Sequence, residues 1–268
     1  MNNLNLSTKL KSYGTQLYGL DIFAQPIVPI FKLDKRPHFE ILSRFKTYDG
    51  SYANPEEVFS KKNSDLQLRG LDLIVFEETF KLLQNNSEIL GNNYIAKLNA
   101  SHSSIHNYAD FLKNVGDLVK TYKLNPKNIT IEINENSDFH IGKFTRKAFS
   151  NGFGVSIDDF GAKNWGFLKV LEKVILNTRE DEFNKLSIKI DKNCIQNIDV
   201  EKKYHKLFEK MIDMAVVLRD IHPDLTIIAE GVEDLTTSNY LKKFKIDYGQ
   251  GYYWAKPMLF EQYLQTLK

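Results

Sequence analysis

Leu186-Ser187-Ile188-Lys189-Ile190-Asp191 decides the fold. Its apolar residues fall on every second position, so a strand would put Leu186, Ile188 and Ile190 on one face and Ser187, Lys189 and Asp191 on the other. In a closed barrel the first face packs under helices and the second points inward. The same parity sets Glu132 between Ile131 and Ile133, and places Ser156 and Asp158 opposite Val155 and Ile157. A lysine turned inward among carboxylates has charge partners that make its burial tolerable.

Working outward, strand-like runs recur at Ile22–Phe31, Phe39–Phe45, Tyr94–Asn99, Ile129–Ile133, Gly154–Asp158, Leu186–Asp191, Leu225–Glu230 and around Tyr248–Trp254. Helical patterns lie between them at Leu71–Leu83, Tyr108–Tyr122, Phe139–Ser150, Phe167–Leu176, Tyr204–Ile221 and Thr236–Phe244. In the longest, Leu207, Met211, Met214 and Leu218 recur at intervals of three and four. Strand then helix, repeated along the chain, predicts an α/β protein with a mostly parallel sheet. At 268 residues a closed (β/α)8 barrel of the TIM type is expected over an open doubly wound sheet. No Gly-x-Gly-x-x-Gly follows a strand, which weighs against a dinucleotide fold.

Hydrophobic residues make up 42% of the chain, enough for a sizeable core, and no Pro/Gly/Ser-rich linker divides it, so a single domain over residues 1–268 is expected. The net charge of +2 provides no overall field for a nucleic-acid polymer, and an anion would need a focused site. One cysteine, Cys194, excludes an internal disulfide and suits a reducing cytoplasm. The Asn-rich start is no secretory signal, and the apolar runs are too short to span a bilayer.

Six of the apolar runs lead into a carboxylate, amide or lysine: Glu40, Asn99, Glu132, Asp158-Asp159, Lys189 and Glu230. Each has an ordinary explanation. Glu40 and Arg44 match a helical i,i+4 ion pair, Asn99-Ala100-Ser101 a helix cap, and Asp158-Asp159-Phe160-Gly161 a turn. Glu230-Gly231-Val232-Glu233 and Gly249-Gln250-Gly251-Tyr252 match glycine turns. Together, at the carboxyl ends of parallel strands, they would gather acids at one rim, where hard cations find oxygen ligands. Asp-Phe-Gly as a protein-kinase mark fails on order, because Arg219-Asp220 follows it and no Gly-rich loop precedes it.

In this order the motifs resemble the EAL-domain phosphodiesterases of bacterial cyclic di-GMP signalling. Glu40-Ile41-Leu42 stands in the Glu-x-Leu-x-Arg pattern through Arg44, preceded by Gln25-Pro26-Ile27-Val28, and the series runs through Gln250-Gly251-Tyr252 to Pro257. The resemblance covers roughly Ile22 to Leu259. It implies a modified barrel that hydrolyses cyclic di-GMP to the linear dinucleotide with two Mg²⁺ or Mn²⁺ ions, and with Ca²⁺ binding but not supporting turnover. It implies that Glu40, Asn99, Glu132 and Asp158 hold one metal, and that Asp158 bridges to a second held with Asp159 and Glu230. Lys189 would contact the attacking water, Gln250 and Glu233 would organise the site, Gln25 and Arg44 would contact substrate, and Glu135 would anchor the loop after Asp-Asp-Phe-Gly. That loop departs from the family's usual Thr-Gly-Tyr-Ser-Ser-Leu, reading Ala162-Lys163-Asn164-Trp165-Gly166-Phe167, and a polar stretch near Asn177–Asn184 looks inserted. A member that binds cyclic di-GMP or a protein without turnover is the alternative. Trp165, Phe167, Leu168 and Val170 would give the following segment an apolar surface for a homodimer.

Overall fold

The computed structural model describes residues 6–12, 17–60, 62–134, 140–161, 167–196 and 202–268, with the backbone alone at 12, 134, 167–169, 196, 202–205, 207 and 208. Its strands are β1 (Leu17–Pro29), β2 (His38–Thr47), β3 (Ile95–Asn99), β4 (Ile129–Asn134), β5 (Gly154–Phe160), β6 (Leu186–Ile190), β7 (Thr226–Ala229), β8 (Tyr248–Gly249) and β9 (Met258–Leu259). β2 through β8 pair in chain order, each parallel to the next, and β1 closes the ring between β8 and β2, antiparallel to both. β9 lies antiparallel along β1. This is a closed eight-stranded barrel of modified TIM type, as the sequence implies.

The reversed direction of β1 corrects one expectation. Glu40 is the third residue of β2, not its last, because β2 overshoots the rim and its remainder pairs with β1 as far as Leu17 opposite Thr47. Gln25, mid-strand in β1, lies directly opposite Glu40.

Strand parity holds in β4 to β6. Ile129, Ile131 and Ile133, Val155 and Ile157, and Leu186, Ile188 and Ile190 join the main core, while Glu132, Ser156, Ser187 and Lys189 are also buried, on the other face. Both faces of a parallel barrel are covered, so neither kind of residue reaches water. Helix Asp65–Asn85 starts at Ser64, whose hydroxyl and Gln67's side chain close a reciprocal capping box. It lays Phe76 and Phe80 into the core. In helix Lys202–Ile221 the buried stripe runs through Ile212, Ala215 and Leu218, while Met214 is 39% exposed and so lies off it. The Asn177–Asn184 stretch forms part of two short 3-10 turns ahead of β6. Val170 is fully buried and contributes nothing to an apolar surface; Trp165 and the side chains of Phe167 and Leu168 lie outside the described residues. No helix of the described residues is long and apolar enough to cross a membrane.

Candidate active site

Lys189 is the fourth of the five residues of β6, next to its carboxyl end, with no exposed surface, and its side chain projects into the barrel interior. Its Nζ lies 3.2 Å from Glu40 Oε2, 3.1 Å from Glu132 Oε2, 3.3 Å from Asp158 Oδ1 and 2.6 Å from Glu230 Oε1. Residues from β2, β4, β5, β6 and the segment after β7 thus meet at one point. The barrel's parallel order makes this possible: neighbouring strands place Asn99 beside Glu132 and Asn134 beside Asp158.

Adjacent residues of a strand point to opposite faces, yet Asp158 and Asp159 share one side. The backbone explains it. Asp159 is left-handed with φ 56°, and the β5–β6 register slips between Ile157 and Phe160. Asp tolerates the left-handed region better than most non-glycine residues. The bend brings carboxylate oxygens of Asp158, Asp159 and Glu230 within 4.8 Å of one another, a cluster able to hold a cation.

One ammonium faces four carboxylates, and proton affinities register the imbalance. Burial lifts Glu132 to about 8, with Glu40 and Asp158 adding to it against Lys189. Burial also raises Glu230 well above the usual carboxylate range despite Lys189. For Glu40 burial is outweighed by Lys189 and by hydrogen bonds from Gln250 and Asn99, so its carboxyl is lowered. Burial works against the Lys189 charge, but the surrounding carboxylates prevail and raise its pKa.

Three oxygens of the site, Glu132 Oε1, Asp158 Oδ1 and Gln250 Oε1, are buried and make no hydrogen bond, although Lys189 Nζ stands 3.3 Å from Asp158 Oδ1. Orphaned buried oxygens beside excess negative charge are what a divalent cation relieves. All the candidate ligands are oxygens, which suit Mg²⁺, Mn²⁺ or Ca²⁺ over thiophilic metals. Asn99 donates its amide nitrogen to Glu40 Oε1 at 2.8 Å, which leaves its carbonyl oxygen as a ligand. The residues present therefore fit a bound divalent metal.

Gln250 Nε2 donates to Glu40 Oε2 at 2.7 Å and to Gln25 Oε1 at 2.9 Å. Gly251 makes this approach possible, because a Cβ there would lie 1.9 Å from the Val232 carbonyl oxygen. Gln25, Gln250, Glu230 and Glu233 line one cavity of about 240 Å³ together with Lys192. Arg44, on the strand rather than in a helical ion pair with Glu40, lines a second of about 440 Å³ with Asn99, Asp158 and Asp159. Ser101 caps helix His102–His106 while Asn99 faces the site, so that motif does both jobs. Glu135 lies outside the described residues.

Sequence reading missed Lys97, Lys192 and Asp72. Lys97 alternates with Ala96 and Leu98, the parity that marks Lys189; it is 2% exposed and its Nζ lies 3.9 Å from Glu132 Oε1. Asp72, buried mid-helix, accepts hydrogen bonds from Ser101 N and Oγ and from Ser104 Oγ, bracing the loop beside Asn99.

A family profile described as the EAL domain matches residues 15–257. The oxygen sensor protein DosP of Escherichia coli K12 is 30% identical over 176 residues, 64% of this chain and 20% of its own length. The probable cyclic di-GMP phosphodiesterase PdeB of the same strain is 24% identical over 253 residues, 90% of this chain and 43% of its own. The chain thus spans less than half the length of either relative. The EAL enzyme Bd1971, in its cAMP- and cyclic di-GMP-bound form, superimposes with a TM-score of 0.77 at 20% identity, covering 98% of this chain and 68% of that one. That likeness shows the shared fold.

Proposed function

The chain belongs to the EAL-domain family, and from that premise we propose that it hydrolyses cyclic di-GMP to the linear dinucleotide, with the barrel acting as a single catalytic unit. The observation that carries this reading is the convergence of Glu40, Glu132, Asp158 and Glu230 on Lys189, with Asp159 turned in beside them. A receptor without chemistry has no physical need for so costly a concentration of buried like charge.

Glu40, Asn99, Glu132 and Asp158 would hold one Mg²⁺ or Mn²⁺, and Asp158, Asp159 and Glu230 a second. Bound there, the pair would lower the pKa of water and stabilise charge on the attacking and leaving oxygens of the phosphodiester. Lys189 keeps its proton and supplies positive charge where the phosphoryl group grows more negative. Gln250 holds the Glu40 carboxylate in place and is itself held by Gln25. Gln25 and Arg44 would contact the cyclic dinucleotide, a reading supported by their places in the two cavities beside the carboxylates, with Glu233 lining the first. Ca²⁺ fits the same oxygens with looser geometry and would inhibit. A homodimer through the segment after β5 remains part of this reading, without a contribution from Val170.

The test is turnover with Mn²⁺, then with Ca²⁺ added in excess. Linear dinucleotide that accumulates with Mn²⁺ and stops with Ca²⁺ is the expected result. Tight binding of cyclic di-GMP with no product under either metal assigns the receptor role instead.

A further inference from the structure

The opposite mouth of the barrel, where the strands begin, holds a cavity of about 340 Å³, inside the range of small-molecule pockets. Its charge is the reverse of the carboxylate end. Lys32, Lys97, Lys127 and Lys185 line it together with Arg36, against Asp224. We propose that this mouth binds a small multivalent anion of the phosphate class.

The wall carries a fixed frame. Arg36 forks onto both oxygens of Asp34, with Nε to Oδ1 at 3.1 Å and Nη2 to Oδ2 at 2.7 Å. His38 and Tyr248 bond the same Oδ2 at 3.1 and 2.8 Å, and their rings stack 4.6 Å apart. Asp34 therefore spends its charge within this frame. Burial brings His38 down to about 4, so it stays neutral.

Asp34 neutralises Arg36 and Glu132 faces Lys97 at 3.9 Å, so the positive excess of this mouth rests on Lys127 and Lys185. Among the described residues neither Lys127 nor Lys185 enters an ion pair; Lys185 only overlies the Phe149 ring, 5.8 Å from its centroid. Both stand just ahead of the strands β4 and β6 and line this mouth. At the inner end Lys97, 2% exposed, donates to Ser187 Oγ at 2.8 Å. Asp224, exposed, offsets one of these cations and Asp247 faces Lys32. A concave site lined mainly by one sign of charge focuses its field on an incoming ion. A compact anion that carries more than one negative charge and several acceptor oxygens balances several cations at once, whereas a single carboxylate brings one charge.

The test is calorimetric titration of the whole chain with inorganic pyrophosphate and with a 5′-mononucleotide. EDTA is present so that no divalent metal recruits phosphate at the carboxylate mouth. Saturable binding is expected, weakened roughly tenfold in Lys127→Ala/Lys185→Ala and unchanged in Asp158→Ala. Amide shifts in wild type at Gly152, Gly154 and Thr226 would place the ligand at this mouth. Tighter binding of the mononucleotide assigns a nucleotide source, and tighter binding of pyrophosphate a free inorganic one. No heat and no shifts at millimolar ligand overturn the proposal. So does wild-type affinity in the double lysine variant, or binding lost in Asp158→Ala.

Discussion

Lys189 is the residue whose removal says most. From sequence alone its replacement reads as a clean kinetic change, lowering kcat with little effect on binding. The structure adds a cost, because four carboxylates lose their shared cation. Breaking a buried pair from one side typically costs about 3–5 kcal/mol. Lys189→Ala should therefore melt well below wild type in EDTA and recover part of that loss in Mn²⁺, since a ligand held by the folded state stabilises it. Differential scanning fluorimetry with and without metal measures both; identical melting of the two proteins in EDTA would mean that the lysine does not hold the cluster together. Asp72 gives a pH signature. Burial raises its carboxyl to about 6, against the hydrogen bonds from Ser101 and Ser104. The folded state then binds the proton more tightly than the unfolded chain. This group favours folding below about pH 4 and costs stability as pH rises through 6, by up to about 3 kcal/mol. Asp72→Asn should gain on wild type across that window and match it in acid, which urea titrations at a series of pH values would show. Lys189 was legible because alternation marks it. Lys97 carries the same mark between Ala96 and Leu98, but it lies inside its strand rather than at the end where the carboxylates and amides stand out. The proximity of Asp158 and Asp159 was not legible, since it depends on a left-handed residue that the letters do not announce.

At the scale of elements, glycines separate geometry from propensity. Gly251 lets the segment after β8 cross Val232, and a Cβ there would strike the Val232 carbonyl oxygen at 1.9 Å. Gly251→Ala should cost about 3 kcal/mol and displace Gln250 from Glu40. Gly116, inside helix Tyr108–Thr121, has nothing within 4 Å of the same added atom. Gly116→Ala should stabilise by about 1 kcal/mol. Chemical denaturation of the two variants tests the contrast, and equal effects would contradict it. The parallel run β2 to β8 was legible from alternating strand and helix patterns, within a few residues at most ends. The direction of β1 was not, because apolar alternation reads the same both ways along a chain. Nor was helix Phe260–Gln265, whose Phe260 and Tyr263 pack against Phe39. It is only six residues long and carries too few turns to display a period.

Across the whole molecule a net charge of +2 conceals two mouths of opposite sign. Carboxylates occupy the end at which most strands finish and lysines the end at which they begin, a separation that composition cannot register. The acidic mouth is where the proposed hydrolysis would take place. Asp158 is its cleanest probe: its side chain is 19% exposed, whereas Glu132 is wholly buried and Glu40 nearly so, which makes their removal a packing change as well. The expectation that Glu40 lies at the rim, clear of the core, does not hold. The most direct measurement is chromatography of cyclic di-GMP incubated with Mn²⁺ and either wild type or Asp158→Ala, with circular dichroism of both proteins. Linear dinucleotide from wild type, and its loss by a factor of about a thousand or more in a folded Asp158→Ala, is the expected result. Near-normal turnover by that variant would contradict the assignment of the carboxylate cluster as the metal-dependent catalytic centre.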